Sequence, residues 1–334
     1  MSLQIIKAGV LDTIQDAGRF GYQHWGINPG GVMDRFAMQV ANMLVANTPG
    51  EAVIEMHFPA PVILFRQPVL IVISGADFSA SLNGEPIPHL QPITVSKNSI
   101  LQFHHIQNGA RAYLAVQGGF DLQPWLGSRS THLKAGAGGY KGRALQKNDE
   151  LGFRDIRDTC SWLGKKEVMV LPWKADILWD KSGVETICFL PGREWDRLTE
   201  AAKAELLNGT FTLTPQSDRM GYRLSGEALR VQVQEELVSS AVGFGTIQLL
   251  PDGQLIILMA DHQTTGGYPR VAHVISAHHS RLSQLRPGET IQFNSTDPLT
   301  AERLFRQQQQ HLLQLQNACT FRLEEFFKTG YGHH

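Results

Sequence analysis

Six short apolar runs in residues 51–120 constrain the fold of this chain more than any other feature. Turn signals separate the runs, among them Asn83-Gly84 and Asn108-Gly109, and the second of these predicts a hairpin turn. Many short strands at this spacing are typical of a β-barrel or a β-sandwich. The runs lie at residues 62–65, 69–74, 78–82, 93–95, 100–104 and 112–116.

A weak internal repeat predicts that the chain contains two related β units. Residues 97–103, 147–153 and 286–293 each have a turn, then alternating polar and apolar residues, then a phenylalanine. This pattern suits equivalent closing strands in similar barrels. The length of 334 residues is typical of two domains, although one large β domain could also reach it.

Helices are expected at three places, one of them near residues 194–207, where Asn208-Gly209 would end it. Asp34 has the position of an N-cap before apolar residues at helical spacing, and its side chain could face an anion at the helix entrance. Near the end, Asp297 and Pro298 have the positions of a cap and a first helical residue. We therefore predict a mainly β protein with a few helices and the following division. An N-terminal β-rich domain spans 1–165, a C-terminal β-barrel domain spans 166–296, and a C-terminal helix spans 297–331.

Composition excludes several classes of function. The formal net charge of −1 gives no general attraction to nucleic acid or to an anionic membrane. No apolar run approaches the roughly 18 residues that cross a bilayer. Three cysteines, far apart and odd in number, fit a reduced cytoplasmic protein, and no secretion signal is expected.

No sequence motif for a metal or for a covalent cofactor is present. There is no HExxH and no paired CxxC, and the adjacent histidines at 104–105 and 278–279 would face opposite sides of a strand. We therefore predict no metal site. No Ala-Met-Lys-Met-type segment is present, so we expect no covalently attached biotin.

The polar stretch at residues 261–270 is the first candidate for a ligand-binding loop. Apolar runs at 255–260 and 271–275 flank it and predict two buried strands. Between them, Gly266 and Gly267 would permit positive φ angles and a close approach of the backbone to a ligand. Loops on a rigid scaffold often carry function, although an ordinary strand–turn–strand corner has the same pattern.

Two further segments have a similar character. Residues 12–26 are dense in acids, amides and glycines around Arg19, which is also typical of a capped turn that leads into a helix. Residues 217–224 include Arg219 and Arg223, whose guanidinium groups suit a carboxylate or a phosphate. A surface salt-bridge turn is the alternative for this second segment.

Taken together, these segments resemble one protein family over residues 3–295, nearly the whole chain. The family is that of the 5-oxoprolinase C subunit, also called the allophanate hydrolase subunit 2 or biotin-dependent carboxyltransferase family. The matching segments are DTIQDAGRFGY at 12–22, GVMD at 31–34, AN at 41–42, SGAD at 74–77, YLAVQGG at 113–119, LGSRST at 126–131, SDRMGYR at 217–223 and QTTGGYP at 263–269.

The resemblance implies two cyclophilin-like β-barrel units and a heteromeric complex with two partners, an A subunit and, of related fold, a B subunit. It implies ATP, with or without magnesium, as the cosubstrate for opening 5-oxoproline to glutamate. It equally implies a carboxyltransferase component that moves a carboxyl group from carboxybiotin to a urea-like amide. A third interpretation is a non-catalytic regulator of the partner.

Both enzymatic interpretations require that an amide be held while negative charge develops on its oxygen, which preorganised amides, hydroxyls and guanidinium groups can stabilise. The predicted catalytic residues are Asp16, Asp218, Arg219 and Asp261. The predicted substrate-binding residues are Asp12, Gln15, Arg19, Asp34, Arg223, Gln263, Thr264, Thr265, Gly266, Gly267 and Tyr268.

Roles follow from the chemistry of each group. Arg219 and Arg223 would hold anionic groups, while Asp261 and Gln263 would orient the amide. Residues 264–267 would contact phosphate or an oxyanion through hydroxyl and backbone groups. A carboxylate, that of Asp16 or Asp218, would act as a base or as a metal ligand. We expect these loops to line one groove between the two β units.

Overall fold

The computed structural model describes residues 2–154, 168–176, 184–233 and 236–330, with side chains as far as residue 325. The chain divides into two compact units, and each is assembled from separate stretches of sequence. The first unit comprises Met1–Gly18, Asp34–Leu178 and Gln309–His334. The second comprises Arg19–Met33 and Trp179–Gln308.

The second unit therefore takes in residues 19–33, which the sequence prediction assigned to the N-terminal domain. The predicted boundary between residues 165 and 166 lies outside the described residues.

In the described residues, the first unit contains two six-stranded sheets, one short helix and the part of the C-terminal helix that begins at Gln309. One sheet has the strand order β11-β1-β4-β9-β6-β7 and the other β12-β8-β5-β10-β3-β2. The strands are β1 (Ser2–Lys7), β2 (Thr13–Gln15), β3 (Val53–His57), β4 (Val62–Phe65), β5 (Val69–Asp77), β6 (Ala80–Leu82), β7 (Glu85–Pro86), β8 (Ile93–Val95), β9 (Ile100–Phe103), β10 (Asn108–Val116), β11 (Glu150–Gly152) and β12 (Val168–Val170).

Both sheets contribute side chains to one hydrophobic core. Leu3 and Ile63 come from one sheet and Ile71 and Leu114 from the other, and all four are fully buried. The helix α1 (Arg35–Leu44) begins at Asp34, whose Oδ1 accepts a hydrogen bond of 3.0 Å from the Ala37 amide. The predicted N-cap is therefore confirmed.

The second unit is a closed seven-stranded barrel with the order β13-β20-β17-β18-β15-β14-β21. Parallel pairing of β13 with β21 closes it. Its strands and those of a small ribbon are β13 (Glu185–Pro191), β14 (Thr210–Leu213), β15 (Gly221–Ser225), β16 (Ser240–Ala241), β17 (Thr246–Leu249), β18 (Leu255–Leu258), β19 (Thr265–Gly266), β20 (Arg270–Val274) and β21 (Thr290–Ser295).

Three further α-helices are present among the described residues, besides short 3-10 turns at Gln23–Trp25, Trp195–Arg197 and Ser276–His278. α2 (Glu200–Asn208) begins after Thr199, whose hydroxyl accepts from the Ala202 amide, and α3 (His279–Ser283) follows β20. α4 (Pro298–Gly330) begins where predicted, because the Asp297 carboxylate accepts from the Thr300 amide at 3.0 Å. None of the described helices is long and apolar enough to cross a membrane.

The predicted class, mainly β with a few helices, is confirmed. Of the two related barrel units that were predicted, the second unit is a closed barrel, whereas the described strands of the first unit form two six-stranded sheets. The predicted turn at Asn108-Gly109 is wrong. These two residues begin β10, and Asn108 pairs with Asp77 of β5. The predicted turn at Asn83-Gly84 is confirmed, since both residues have positive φ and link β6 to β7.

The repeat found in the sequence corresponds to one turn built three times. Asn98, Asn148 and Gly288 occupy equivalent positions with φ angles of 68°, 70° and 89°. Their amides donate to the carbonyls of Phe65, Ile5 and Leu213, respectively, on a neighbouring strand. The amides of Phe65, Ile5 and Leu213 in turn donate to the carbonyls of the residues that follow Asn98, Asn148 and Gly288, respectively. Two copies lie in the first unit and one lies in the barrel.

Candidate functional site

The 261–270 loop leaves the barrel after β18 and returns to it at β20, as its flanking apolar runs predict. Midway along the loop, Thr265 and Gly266 form β19 and pair with Ala241 and Ser240 of β16. The loop is thus held as a short ribbon beside the barrel wall, which keeps its side chains in fixed positions.

A cavity of about 470 Å³ lies on the outer face of the barrel, where β15, β18 and β17 run side by side. Tyr222, Leu224 and Ile257 face the barrel core, so alternate residues on these strands point outward. We call it the barrel-wall cavity. Its polar lining includes Asp218, Arg223, Gln248, Asp252, Gln263 and Tyr268.

Arg223 supplies the cavity with a cation. It is an exposed residue in the middle of β15, and its guanidinium has no hydrogen-bond or ion-pair partner among the described residues. Asp218 lines the same cavity from the preceding turn, where its Oδ1 accepts from the amides of Met220 and Gly221 at 2.8 and 3.2 Å. A positive group and a carboxylate therefore face one solvent-accessible space.

Gln248 was not predicted from the sequence and is the most buried polar group of this cavity, at 1% exposure. Its Nε2 donates to the Tyr268 carbonyl at 3.4 Å, while its Oε1 has no partner. A lone glutamine in a strand carries no sequence signal for this role. Its outward position at the centre of β17, opposite the candidate loop, is visible only in the fold.

The two loop glycines act differently from the prediction. Neither Gly266 nor Gly267 has a positive φ. A Cβ on Gly266 would lie 2.6 Å from Nε2 of Gln248, and one on Gly267 would lie 3.3 Å from the Leu237 carbonyl. The expected close approach therefore exists, but it is to groups of the protein itself.

Arg219, which is buried, and Asp261, which is half-buried, form an ion pair next to this loop. Nε and Nη2 of Arg219 lie 2.8 and 3.1 Å from the two carboxylate oxygens of Asp261. Nη2 also donates to the Gly31 carbonyl at 2.6 Å, and the Asp261 amide donates to the Arg219 carbonyl at 2.8 Å. Because the guanidinium charge is matched within the protein, this arrangement favours a positioning role over direct binding of an anion.

Arg19 belongs to the same unit and is 1% exposed. Its amide donates to the Pro29 carbonyl at 2.7 Å. Gly30 has a φ of 59°, and a Cβ there would lie 3.1 Å from Nη1 of Arg19 and 3.7 Å from Oδ1 of Asp261. The Arg219–Asp261 pair joins the 217–224 segment to the 261–270 loop. The structure places Arg19, from the 12–26 segment, near this pair.

The acids and amides that precede Arg19 lie in the first unit. Asp16 accepts four hydrogen bonds of 2.5 to 2.8 Å, from the hydroxyls of Ser128 and Ser130 and from the amides of Gly18 and Arg129. Its oxygens are therefore engaged in holding the 128–130 loop. This environment favours a structural role for Asp16 over the predicted role as a base.

Asp12, Gln15 and Asp34 are also buried in the first unit. Asp12 accepts from the Gly9 amide at 2.6 Å, and burial raises its pKa to about 7. Gln15 donates to Thr13 and to the Thr131 carbonyl. The carboxylate of Asp34 is the cap of α1, as described above, so all three side chains have contacts within the unit.

The remaining predicted residues belong to the 261–270 loop. Gln263 and Tyr268 are exposed and line the barrel-wall cavity. The carbonyl of Thr264 accepts from the Val242 amide, and the hydroxyl-bearing Thr265 is exposed. His262, which the sequence did not single out, is buried beside them. Its Nδ1 lies 2.5 Å from the Gln263 carbonyl, and burial lowers its pKa.

Four predicted residues therefore share one cavity: Asp218, Arg223, Gln263 and Tyr268. Among the residues that the structure describes, no group of three or more His, Cys, Asp and Glu side chains could hold a metal ion. The chain is thus a mainly β protein in which a guanidinium without a described partner, an amide and a phenol line one cavity on the barrel wall, and such groups suit a small polar ligand.

Comparison with known proteins identifies the family. Residues 25–295 match the family described as carboxyltransferase domain, subdomain A and B, and the chain belongs to that family. It is 35% identical to the 5-oxoprolinase C subunit of Haemophilus influenzae and 34% identical to that of Escherichia coli. Each match covers 94% of this chain and 97% of the relative.

The fold is also similar to a solved structure, that of the K. lactis urea amidolyase. The TM-score is 0.83 and the identity 26% over 94% of this chain. The match spans 20% of the amidolyase chain, so it corresponds to one region of a much longer protein.

Proposed function

We propose that this chain is the C subunit of a cytoplasmic, ATP-dependent 5-oxoprolinase complex that opens 5-oxo-L-proline to L-glutamate. The observation that carries the proposal is the 35% identity to the 5-oxoprolinase C subunit of H. influenzae over 97% of that relative. The partners would be the A and B subunits of the same complex, the second of them related in fold. The chain would be inactive without them.

The chemistry requires that a stable lactam be activated before water can open it. In this proposal ATP transfers its γ-phosphoryl group to the lactam oxygen and leaves as ADP. Water then adds to the activated ring carbon, a proton passes to the ring nitrogen, and the C–N bond breaks to leave an acyl phosphate. A second water hydrolyses the acyl phosphate to glutamate and phosphate. Preorganised donors next to the oxygen stabilise the charge that develops on it.

The barrel-wall cavity offers groups suited to this task. The unpaired guanidinium of Arg223 would hold the carboxylate of the substrate or a phosphate oxygen. The amides of Gln248 and Gln263 would orient the lactam. Asp218 has one carboxylate oxygen, Oδ2, without a partner among the described residues, and it would take a proton from the attacking water.

A carboxyltransferase component is the second candidate function. The TM-score of 0.83 to the K. lactis urea amidolyase favours it. The same cavity would then hold a urea-like amide while its nitrogen accepts a carboxyl group from carboxybiotin carried on another chain. The guanidinium of Arg223 would stabilise the transferred carboxylate.

Reconstitution separates the two functions. The chain is purified with its A and B partners, and ATP-dependent release of glutamate from 5-oxoproline is measured. Glutamate release only with the full set and only with ATP supports the proposal. Carboxyl transfer from carboxybiotin to urea without glutamate release replaces it with the second candidate.

A further inference from the structure

The side-chain amide of Gln117, directly after β10, makes no hydrogen bond to the described residues of the first unit. Its backbone amide donates to the Leu70 carbonyl at 2.9 Å, and the residue is 3% exposed. Both Oε1 and Nε2 are buried, and neither has a hydrogen-bond partner within residues 2–154, 168–176, 184–233 and 236–330. Leaving a buried amide unpaired costs free energy, so an unpaired amide requires an explanation. A bound ligand that hydrogen-bonds to it is one.

The side-chain amide of the neighbouring Asn47 is fully hydrogen-bonded, in contrast to that of Gln117. Nδ2 of Asn47 donates to Asn42 Oδ1 at 3.0 Å and to the Val116 carbonyl at 2.8 Å. Oδ1 of Asn47 accepts from the Gly118 amide at 2.8 Å. The fold therefore satisfies the polar groups around Gln117 without engaging its side chain.

Gln117 lines a cavity of about 410 Å³ within the first unit, which we call the Gln117 cavity. Glu51 and Arg154 lie in its wall and form an ion pair with each other. Gly119 has a φ of 78°, and a Cβ there would lie 2.7 Å from the Glu51 carboxyl carbon and 2.8 Å from Nη2 of Arg154. The absence of a side chain at this glycine is what allows the pair to close over the loop.

Two guanidinium groups share the carboxylate of this wall. Glu51 also lies 3.9 Å from Nη1 of Arg129, so one carboxylate faces two guanidinium groups. Arg154 uses only Nη2 within the described residues, for Glu51 and for the Gly118 carbonyl at 3.4 Å. Toward the part of the chain that the structure describes, Nε and Nη1 of Arg154 make no hydrogen bond, and we take them as donors to an anion.

These groups define the ligand. A carboxamide that is open at both its oxygen and its nitrogen pairs with a molecule whose N–H and C=O lie on one edge, which is the edge of a lactam or of urea. A guanidinium with free donors pairs with a carboxylate. We propose that the Gln117 cavity binds a small amide with such an edge, and that Arg154 selects an amide that also carries a carboxylate.

This inference deepens the proposed function, on which the choice of 5-oxoproline as the main ligand rests. The five-membered ring of 5-oxoproline has the lactam edge that Gln117 can pair with and a carboxylate for Arg154. The first unit would thus contribute a substrate site of its own.

Calorimetric titration of the full chain, alone and in its complex, tests the site with three probes: 5-oxo-L-proline, 2-pyrrolidinone and urea. Binding of 5-oxo-L-proline by the wild type is expected, with Kd raised at least tenfold by Gln117→Leu. Gln146→Leu, at an exposed position of the same unit, serves as the control and leaves Kd unchanged. The absence of binding in both preparations, or equal Kd values for Gln117→Leu and the wild type, overturns the inference.

Arg154→Gln provides a test that does not depend on the Gln117 variant folding. It is expected to weaken 5-oxo-L-proline at least tenfold while 2-pyrrolidinone, which lacks the carboxylate, binds as to the wild type. Equal weakening of both probes overturns the role of Arg154.

Turnover of the complex keeps this inference separate from the proposed function. Glutamate release with an unchanged KM in Gln117→Leu removes the Gln117 cavity and leaves the proposed function standing. If a probe binds in a Gln117-dependent way to a complex that releases no glutamate, the proposed function is removed and the Gln117 cavity stands.

Discussion

Arg219 and Asp261, 42 residues apart in sequence, face each other with both carboxylate oxygens opposed to two guanidinium nitrogens at 2.8 and 3.1 Å. The side chain of Arg219 is 6% exposed and that of Asp261 20%. Because water is largely excluded, removal of either partner leaves a charge with little solvation.

We expect Arg219→Met to lower the free energy of unfolding by about 3–5 kcal/mol, as for other broken buried pairs. Denaturant unfolding measures it. Arg306→Met is the matched control, because its pair with Glu302 on α4 is exposed and should change stability by less than about 1 kcal/mol. Equal stability of the two variants would show that the Arg219–Asp261 pair is not structural.

Arg223→Ala is expected to act on function and not on stability. The guanidinium is exposed and unpaired among the described residues, so its loss leaves no buried group unsatisfied. We expect KM for 5-oxoproline or for ATP in the reconstituted complex to rise at least about tenfold, which corresponds to about 1.4 kcal/mol. Arg303→Ala, at an exposed position of α4, should leave KM unchanged. A wild-type KM in Arg223→Ala removes the barrel-wall cavity from the reaction.

Asp12 makes stability depend on pH in an unusual direction. Burial raises the pKa of its carboxyl to about 7, while the Gly9 amide lowers it by a smaller amount. Between pH 4 and pH 7 the folded state holds a proton that the unfolded state has lost, so stability falls as pH rises, by at most about 1.4 kcal/mol per pH unit.

Asp12→Asn should remove this slope, because the amide stays neutral and its oxygen can still accept from Gly9. Unfolding free energies of both proteins from pH 4 to pH 8 provide the measurement. A wild-type curve that is parallel to that of Asp12→Asn across this range contradicts the raised pKa.

Asp16→Asn should cost about 1–3 kcal/mol of unfolding free energy, because fewer acceptor sites remain for the donors from the 128–130 loop and Gly18. Asp121→Asn, at an exposed position of the same unit, is the control and should be near neutral. Unfolding monitored by circular dichroism compares them. If Asp16→Asn keeps full stability and abolishes turnover, the catalytic role predicted from the sequence is restored.

Gly266→Ala tests whether the glycine exists to make room for Gln248. The added Cβ would lie 2.6 Å from Nε2 of Gln248, so the buried amide has to move. We expect a loss of about 1–3 kcal/mol, and partial recovery when Gln248→Ala is added to the same chain. Denaturant unfolding measures the three variants. If the losses of the two single variants add in the double variant, the strain does not arise between residue 266 and Gln248.

Local patterns in the sequence predicted the elements well, for physical reasons. The Asp34 and Asp297 caps depend on amides three residues away, so the chain alone defines them. The triple turn was visible because Asn98, Asn148 and Gly288 each supply a residue that tolerates a left-handed backbone. In contrast, Asn108-Gly109 fits a turn equally well, and strand pairing with β5 decided otherwise.

The site was less predictable, because it depends on distant pairings. Spacing identified Arg219 and Arg223 as equals, yet Arg219 pairs with Asp261, whereas Arg223 has no partner in the part of the chain that the structure describes. Gln248 had no local signal, since its role comes from neighbouring strands. That all three candidate segments would line one groove between the units stays a prediction. What the second unit shows by itself is Arg19 close to Asp261.

The assignment of Arg19–Met33 to the second unit has a consequence for biosynthesis. The ribosome delivers this segment long before residues 184–308, to which it belongs in the folded protein. The guanidinium of Arg19, which is buried in the folded protein, therefore stays unburied during synthesis until the barrel residues have been made. Expression of residues 184–308 as a fragment would omit this segment. We therefore expect the fragment to fold into the barrel only when residues 19–33 are supplied as a separate peptide.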